Sequence, residues 1–207
     1  MIIILDYGLG NVYNLQNALS SLGYNSKISR DPKEILDATI LFLPGVGAFK
    51  SAMNNLADNN LIEILNKRNK EKKPIIGICL GMQVMFEDSY EDGYCKGLGY
   101  IKGTFKKFDI DLKIPHMGWN KLIENKASFV TKDLPENSYV YFVHSYYLTN
   151  YDPKDLIASA EYAIDVPAIV GKNHLVGIQF HPEKSNKVGL KILDNLIKEF
   201  KEEGAKS

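Results

Sequence analysis

Three short runs of apolar residues constrain this chain more than any other feature: Ile2-Ile3-Ile4-Leu5, Ile40-Leu41-Phe42-Leu43, and Pro74-Ile75-Ile76 leading into Gly77-Ile78-Cys79. A strand with no polar alternation must be covered on both faces, which is the condition of a strand inside a parallel sheet. The segments between these runs carry helical spacing. Val12, Leu15, Ala18, Leu19 and Leu22 recur on one helix face, with Gly23 placed to stop the helix. Residues 25–28 read as a short strand and 32–36 as a short helix capped by Asp31. Helices are expected over 49–56 and 61–69. Strands separated by helices imply parallel βαβ units with helices on both faces of a central sheet.

The second half reads differently. Short β-type runs occupy 103–105, 112–114, 139–143, 156–158 and 176–180, and they suggest antiparallel additions to the sheet. Leu190, Leu193, Leu196, Ile197 and Phe200 then fall at helical spacing, before a charged tail. No linker, repeat or low-complexity segment interrupts the chain, so one α/β domain over 1–207 is expected. Its 207 residues suffice for a sizeable core.

Charge and cysteine usage exclude several function classes. Lys plus Arg equals Asp plus Glu at 25 each, which gives no electrostatic case for a nucleic-acid or anionic-membrane partner. Two cysteines, Cys79 and Cys95, are too few for a disulfide scaffold, so a reduced, cytoplasmic protein is expected. The N-terminus has no basic stretch before its apolar run, and no run approaches the length of a membrane span.

Cys79 lies in Gly77-Ile78-Cys79-Leu80-Gly81, after an apolar strand and before a helix-like stretch at 82–86. Flanking glycines at a strand-to-helix junction allow a sharp turn that aims the side chain off the sheet end, the geometry of a nucleophile elbow. The same string also describes a small buried core cysteine. A nucleophile needs a base and a group to hold that base. Among the four histidines, His174 sits in a polar turn-like stretch and is expected to be exposed, while His116 and His144 read as packing histidines. His181 follows Ile178-Gln179-Phe180 and should emerge at a strand end. Pro182 biases it toward extended geometry, and Glu183, two residues on, shares its face. Donors for an oxyanion are then expected from the Leu80 backbone N–H and from the loop Pro44-Gly45-Val46-Gly47 at the end of a neighbouring strand.

Taken together, Gly-Ile-Cys79-Leu-Gly-Met-Gln and Phe-His181-Pro-Glu183-Lys-Ser resemble the class I (triad) glutamine amidotransferases. Pro44 to Phe49, Pro115-His116-Met117-Gly118-Trp119-Asn120 and Tyr141 to Tyr146 extend the resemblance to the glutaminase subunits of imidazole glycerol phosphate synthases, nearly end to end. The resemblance implies a flavodoxin-like, mostly parallel sheet with helices on both faces and an added antiparallel β portion. It implies catalysis by Cys79, His181 and Glu183, an oxyanion hole from Gly45, Val46, Gly47 and Leu80, and glutamine binding by Gln83, Glu91, Ser145 and Tyr146. It implies a (β/α)8-barrel cyclase partner in a heterodimer, contacted by Asn11, Asn14, Trp119 and Lys184, and no metal or cofactor. Ammonia would pass to that partner for synthesis of imidazole glycerol phosphate and an aminoimidazole carboxamide nucleotide in histidine biosynthesis. Tyr13 stands where a dinucleotide fingerprint starting at Gly8 requires glycine, so the chain is not expected to bind a dinucleotide. Val46 in the oxyanion loop implies that the subunit alone hydrolyses glutamine slowly. An alternative is a paralogous glutaminase that supplies ammonia to a nucleotide-sugar amidotransferase in surface-glycan synthesis. A non-catalytic relic is disfavoured by the intact Cys79, His181 and Glu183.

Overall fold

Alternation along the first strand sets up the architecture. In the computed structural model, which describes residues 1–204, β1 (Ile2–Leu5), α1 (Val12–Ser21), β2 (Ser26–Ser29), α2 (Pro32–Asp37) and β3 (Ile40–Gly45) follow one another. Then come α3 (Phe49–Asp58), α4 (Leu61–Lys70), β4 (Ile75–Cys79) and α5 (Leu80–Val84). Ile2 and Ile4 of β1 pack into one hydrophobic cluster, Ile3 and Leu5 into another, because successive side chains leave opposite faces of a strand. Ile40 and Phe42 of β3 repeat the split against Leu41 and Leu43. Residues of α1 and the C-terminal α6 (Asn186–Gly204) cover the first face, and residues of α2 to α5 cover the second.

The second half contributes β5 (Phe86–Ser89), β6 (Cys95–Lys96), β7 (Ile101–Lys107), β8 (His116–Lys121) and β9 (Ile123–Glu124). It continues with β10 (Tyr139–His144), β11 (Tyr146–Thr149), β12 (Leu156–Glu161), β13 (Asp165–Lys172) and β14 (Leu175–Ile178). The main sheet runs β2-β1-β3-β4-β14-β13-β12-β9, parallel from β2 to β14 and antiparallel beyond. A four-stranded sheet β11-β7-β5-β6 and a two-stranded sheet β10-β8 stand apart from it. This is the expected α/β sheet with an antiparallel portion.

Four local expectations are corrected. The stretch 82–86 is not one helix: α5 ends at Val84, and Phe86 opens β5, parallel to β7. Residues 112–114 form no strand; they lie in a loop where Leu112 is exposed, with no partner strand to satisfy their backbone. The run 176–180 is an antiparallel addition on one side only: its strand β14 pairs antiparallel with β13 but parallel with β4. His174 is half-buried, its Nε2 2.8 Å from Asn69 Oδ1. The last three residues of the charged tail, 205–207, lie outside the described residues.

One buried charge ties the second face together. Arg68 of α4 is fully buried and donates to the carbonyls of Ile35 and Ala38 at 2.8 Å and of Pro74 at 2.9 Å. A cation at the end of α2 meets the carbonyls that the helix leaves unpaired. Burial lowers the Arg68 pKa to about 10, still far above neutrality, so the guanidinium stays charged.

Candidate active site

Cys79 is the last residue of β4 and stands immediately before α5, with φ 53° and ψ −115°. A side chain with a Cβ rarely adopts a positive φ, so strain is concentrated on the nucleophile position itself. The flanking glycines serve close approach instead. A Cβ on Gly81 would lie 1.7 Å from the Leu43 carbonyl oxygen, and one on Gly77 would lie 2.7 Å from the Met82 Cα. The elbow forms because glycine lets α5 press against β3 and β4 while the cysteine between them takes the sharp turn.

His181 follows β14, which pairs with β4, so the two strand ends lie side by side. The His181 backbone N–H donates to the Tyr141 carbonyl at 3.0 Å, and Ser185 Oγ donates to the His181 carbonyl at 2.7 Å. His181 Nδ1 is 2.8 Å from Glu183 Oε1, with both side chains only 3% exposed. His181 Nε2 has no hydrogen-bond partner among the described residues. Burial alone would lower the imidazole pKa. Interaction with Cys79 and Glu183 outweighs burial and raises it to about 10. The ring is therefore a strengthened base beside a thiol.

Both residues line a cavity of about 320 Å³. Val46, Gly47, Leu80, Gln83, Glu91, Ser145 and Tyr146 line it as well. Glu183 lies behind His181. Gly45 faces a narrow crevice shared with Asn11, His181 and Glu183. Gly47 has φ +103° with open space around its Cα, which leaves the loop free of side-chain bulk at the cavity mouth. Glu91 Oε2 accepts the Phe49 N–H at 2.6 Å, tying the cavity wall to the first turn of α3. Burial raises the Glu91 pKa. Gln83 is buried, and its Nε2 donates to Gln179 Oε1 at 3.2 Å.

The remaining sequence-predicted residues lie outside the cavity. Asn14 is exposed, in a depression shared with Glu183, Asn186 and Leu190. Trp119, 47% exposed, lines the adjoining groove with Tyr139, Asn186 and Leu190. Lys184 is exposed in the turn after His181. Asn11 precedes α1. Together with exposed Met117 and Tyr139 they give a partly apolar surface beside the triad.

Sequence reasoning missed four cavity neighbours. Pro115, Val143 and His144 line the cavity, and the Val143 carbonyl is 3.9 Å from Cys79 Sγ. Gln179 places Nε2 4.0 Å from the same sulfur. A polar residue inside the apolar run before His181 was the available signal for Gln179. Tyr7 is fully buried near this site, and its hydroxyl has no hydrogen-bond partner among the described residues. Among the described residues, no group of three or more His, Cys, Asp or Glu is arranged to hold a metal ion, and no helix is long and apolar enough to cross a membrane.

Comparison with known proteins places this geometry in context. The glutamine amidotransferase class-I family profile matches residues 3–200. The chain is 51% identical over 200 residues to the imidazole glycerol phosphate synthase subunit HisH of Lactococcus lactis, covering 96% of this chain and 98% of that protein. It is 47% identical to the subunit HisH 2 of Methanococcus maripaludis, over 96% and 100% of the two chains. The HisH subunit of Bacillus subtilis is 43% identical over the full length of both. Among solved structures, PurLQS from Thermotoga maritima superposes with a TM-score of 0.76 at 17% identity, over 96% of this chain and 97% of that one. A glutamine amidotransferase superposes at 0.74 and 16% identity, over 95% and 99%.

Proposed function

The chain belongs to the glutamine amidotransferase class-I family, and from that membership we propose that it is the glutamine-hydrolysing subunit of an imidazole glycerol phosphate synthase. The observation that carries this reading is a cysteine on a strained elbow, sharing one cavity with His181, whose imidazole is held from behind by the buried Glu183 carboxylate.

In this reading the thiol proton passes to His181 Nε2 first, and Cys79 Sγ then attacks the side-chain amide carbon of glutamine. The C–N bond then breaks, His181 returns the proton to the leaving nitrogen, and ammonia departs. Water, deprotonated by His181, adds to the γ-glutamyl thioester; the C–S bond breaks and glutamate leaves with the thiol restored. Glu183 fixes the imidazole and stabilises its positive charge at each transfer. The Leu80 N–H and the loop of Gly45, Val46 and Gly47 serve the oxyanion, at about 3 kcal/mol per donor. Glu91 suits the α-ammonium of the substrate, and Gln83 and the Ser145–Tyr146 backbone suit the rest of its polar end. The cavity's size fits a small amino acid.

The relatives are named as subunits, which supports a second, cyclase subunit that consumes the ammonia in histidine biosynthesis. We assign its docking to the surface of Asn11, Asn14, Trp119 and Lys184, in a cytoplasmic heterodimer with a (β/α)8 barrel. The eight-stranded sheet, which joins strands from β1 to β14, supports the reading of the chain as one catalytic domain. The relatives' shared name favours this pathway over the surface-glycan alternative. The test is glutamate release by the purified chain, with and without a cyclase subunit and its nucleotide ligand. Slow release alone and fast release in the loaded complex are expected, and Cys79→Ala abolishes both. Turnover by Cys79→Ala would refute the thiol mechanism, and full activity in isolation would refute dependence on the partner.

A further inference from the structure

Four polar groups running outward from the cavity wall form a hydrogen-bonded chain that the catalytic reading leaves unused. Asn120 Nδ2 is 3.2 Å from His116 Nε2, His116 Nδ1 is 3.0 Å from His144 Nε2, and His144 Nδ1 is 2.8 Å from the Tyr146 carbonyl oxygen. Both ends fix its direction. The Tyr146 carbonyl only accepts, so His144 carries its proton on Nδ1. Asn120 Nδ2 also donates to the Glu161 carbonyl at 2.7 Å, which fixes the amide orientation and leaves His116 Nε2 as an acceptor. Each end independently requires the same middle bond, His116 Nδ1–H donating to His144 Nε2. A proton added to His144 would set two N–H groups against each other at 3.0 Å, and one added to His116 would set its Nε2–H against the Asn120 amide at 3.2 Å.

The surroundings hold this state. His116 is stacked between Phe142, with ring centroids 4.6 Å apart, and Tyr162, at 4.0 Å. Burial lowers the His116 pKa to about 4 and, with the neighbouring His116 and His181 charges adding to it, that of His144 to about 3. Both rings are neutral through the working pH range.

We propose that His116 and His144 are positioning residues for glutamine binding: the one-way chain from Asn120 holds the Tyr146 carbonyl and so sets the Ser145–Tyr146 segment against the cavity. This rests on the assignment of that segment to the substrate's polar end. Ser145 is where the chain leaves β10 of the two-stranded sheet for β11 of the four-stranded one, and no ladder bond spans a change of sheet. The His144 bond to Tyr146 fastens that crossing. The other end of the chain lies on β8, whose opposite face carries exposed Met117 and Trp119. One strand thus presents the assigned docking surface outward and the histidine chain inward.

The first test is the protonation state of the two rings in the intact protein, read from long-range proton–nitrogen correlation spectra. Both rings should be neutral Nδ1–H tautomers; an Nε2–H tautomer or an imidazolium at either position near neutral pH overturns the chain. The second test is glutamine kinetics of the complex with the cyclase subunit. His116→Leu should raise KM about tenfold with kcat within about twofold, and His116→Asn, which keeps a donor facing His144, should hold KM within about threefold of the parent. Should His116→Leu not fold, Asn120→Leu tests the outer end and should raise KM in the same sense. An unchanged KM in a folded chain-breaking variant, or equal impairment of His116→Asn and His116→Leu, refutes the positioning role. The spectra do not depend on turnover, so failure of the thiol mechanism in Cys79→Ala is distinguishable from failure here.

Discussion

The strain at Cys79 predicts an inverted stability order for two substitutions. Its φ of 53° and ψ of −115° are near the mirror image of ordinary extended backbone. Glycine enters that region freely, whereas any residue with a Cβ is strained there. The angles lie far from even the left-handed minimum near ψ +47°, which places the strain at about 3 kcal/mol, the upper end for one residue. Cys79→Ala keeps this strain and Cys79→Gly removes it. Against that gain, glycine loses about 0.5–1 kcal/mol of backbone entropy and about 0.8 kcal/mol for the missing buried methyl. The glycine variant should therefore be the more stable by about 1.2–1.7 kcal/mol, roughly 2–7 °C in Tm for a chain of this length. At an unstrained buried position the order would be reversed by a similar amount. Calorimetry and urea unfolding of both variants at one pH measure the difference, and neither variant keeps the nucleophile. Equal stability, or a more stable alanine variant, would show that the elbow carries no strain.

Three further outcomes follow from the geometry. Glu183→Gln should lower glutaminase kcat by about 10²-fold or more. Because His181 is raised above its ordinary 6.5, the stabilising interaction is fully present below about pH 6.5 and is lost as pH rises toward 10. The stability gap between parent and variant should therefore close as pH climbs through that window, seen by denaturant unfolding across pH. Gly81→Ala places a Cβ 1.7 Å from the Leu43 oxygen and should cost about 3 kcal/mol or more, read as a fall in Tm together with loss of glutaminase activity. Arg68→Met leaves the Ile35, Ala38 and Pro74 carbonyls without their donor. It should destabilise by about 3 kcal/mol or more, visible as a lowered urea midpoint with an unchanged glutamine KM.

The parallel half of the fold was legible because each of its apolar strands is a short uninterrupted run and each helix between them keeps one apolar face. The second half was less so. Residues 112–114 have strand-like composition but no partner, and composition does not report partners. The run before His181 could not reveal that β14 pairs parallel with β4, since register and neighbour are set by tertiary packing. Residues 82–86 failed because Phe86 satisfies a helical period and a strand equally well. Within the candidate site, Cys79, His181 and Glu183 stood out because their chemistry is carried by adjacent sequence. His144 and Gln179 did not. Their proximity to the thiol arises from strands far apart in the chain, and a buried histidine among aromatic residues looks like packing until its hydrogen bonds are traced.

The cavity walls come from three separately hydrogen-bonded sheets. Val46, Cys79 and Leu80 stand at the end of the large sheet, Val143 and His144 on the two-stranded one, Tyr146 on the four-stranded one and Glu91 in the turn between its β5 and β6. A seam of this kind can change width without rupturing a single strand ladder. The small β8–β10 sheet is joined to this seam by individual bonds, among them the His181 N–H to the Tyr141 carbonyl and the His144 imidazole to the Tyr146 carbonyl, rather than by a ladder. Grip on the small molecule is thereby set by side chains and single bonds along the seam, separately from the strand ladders that hold the scaffold.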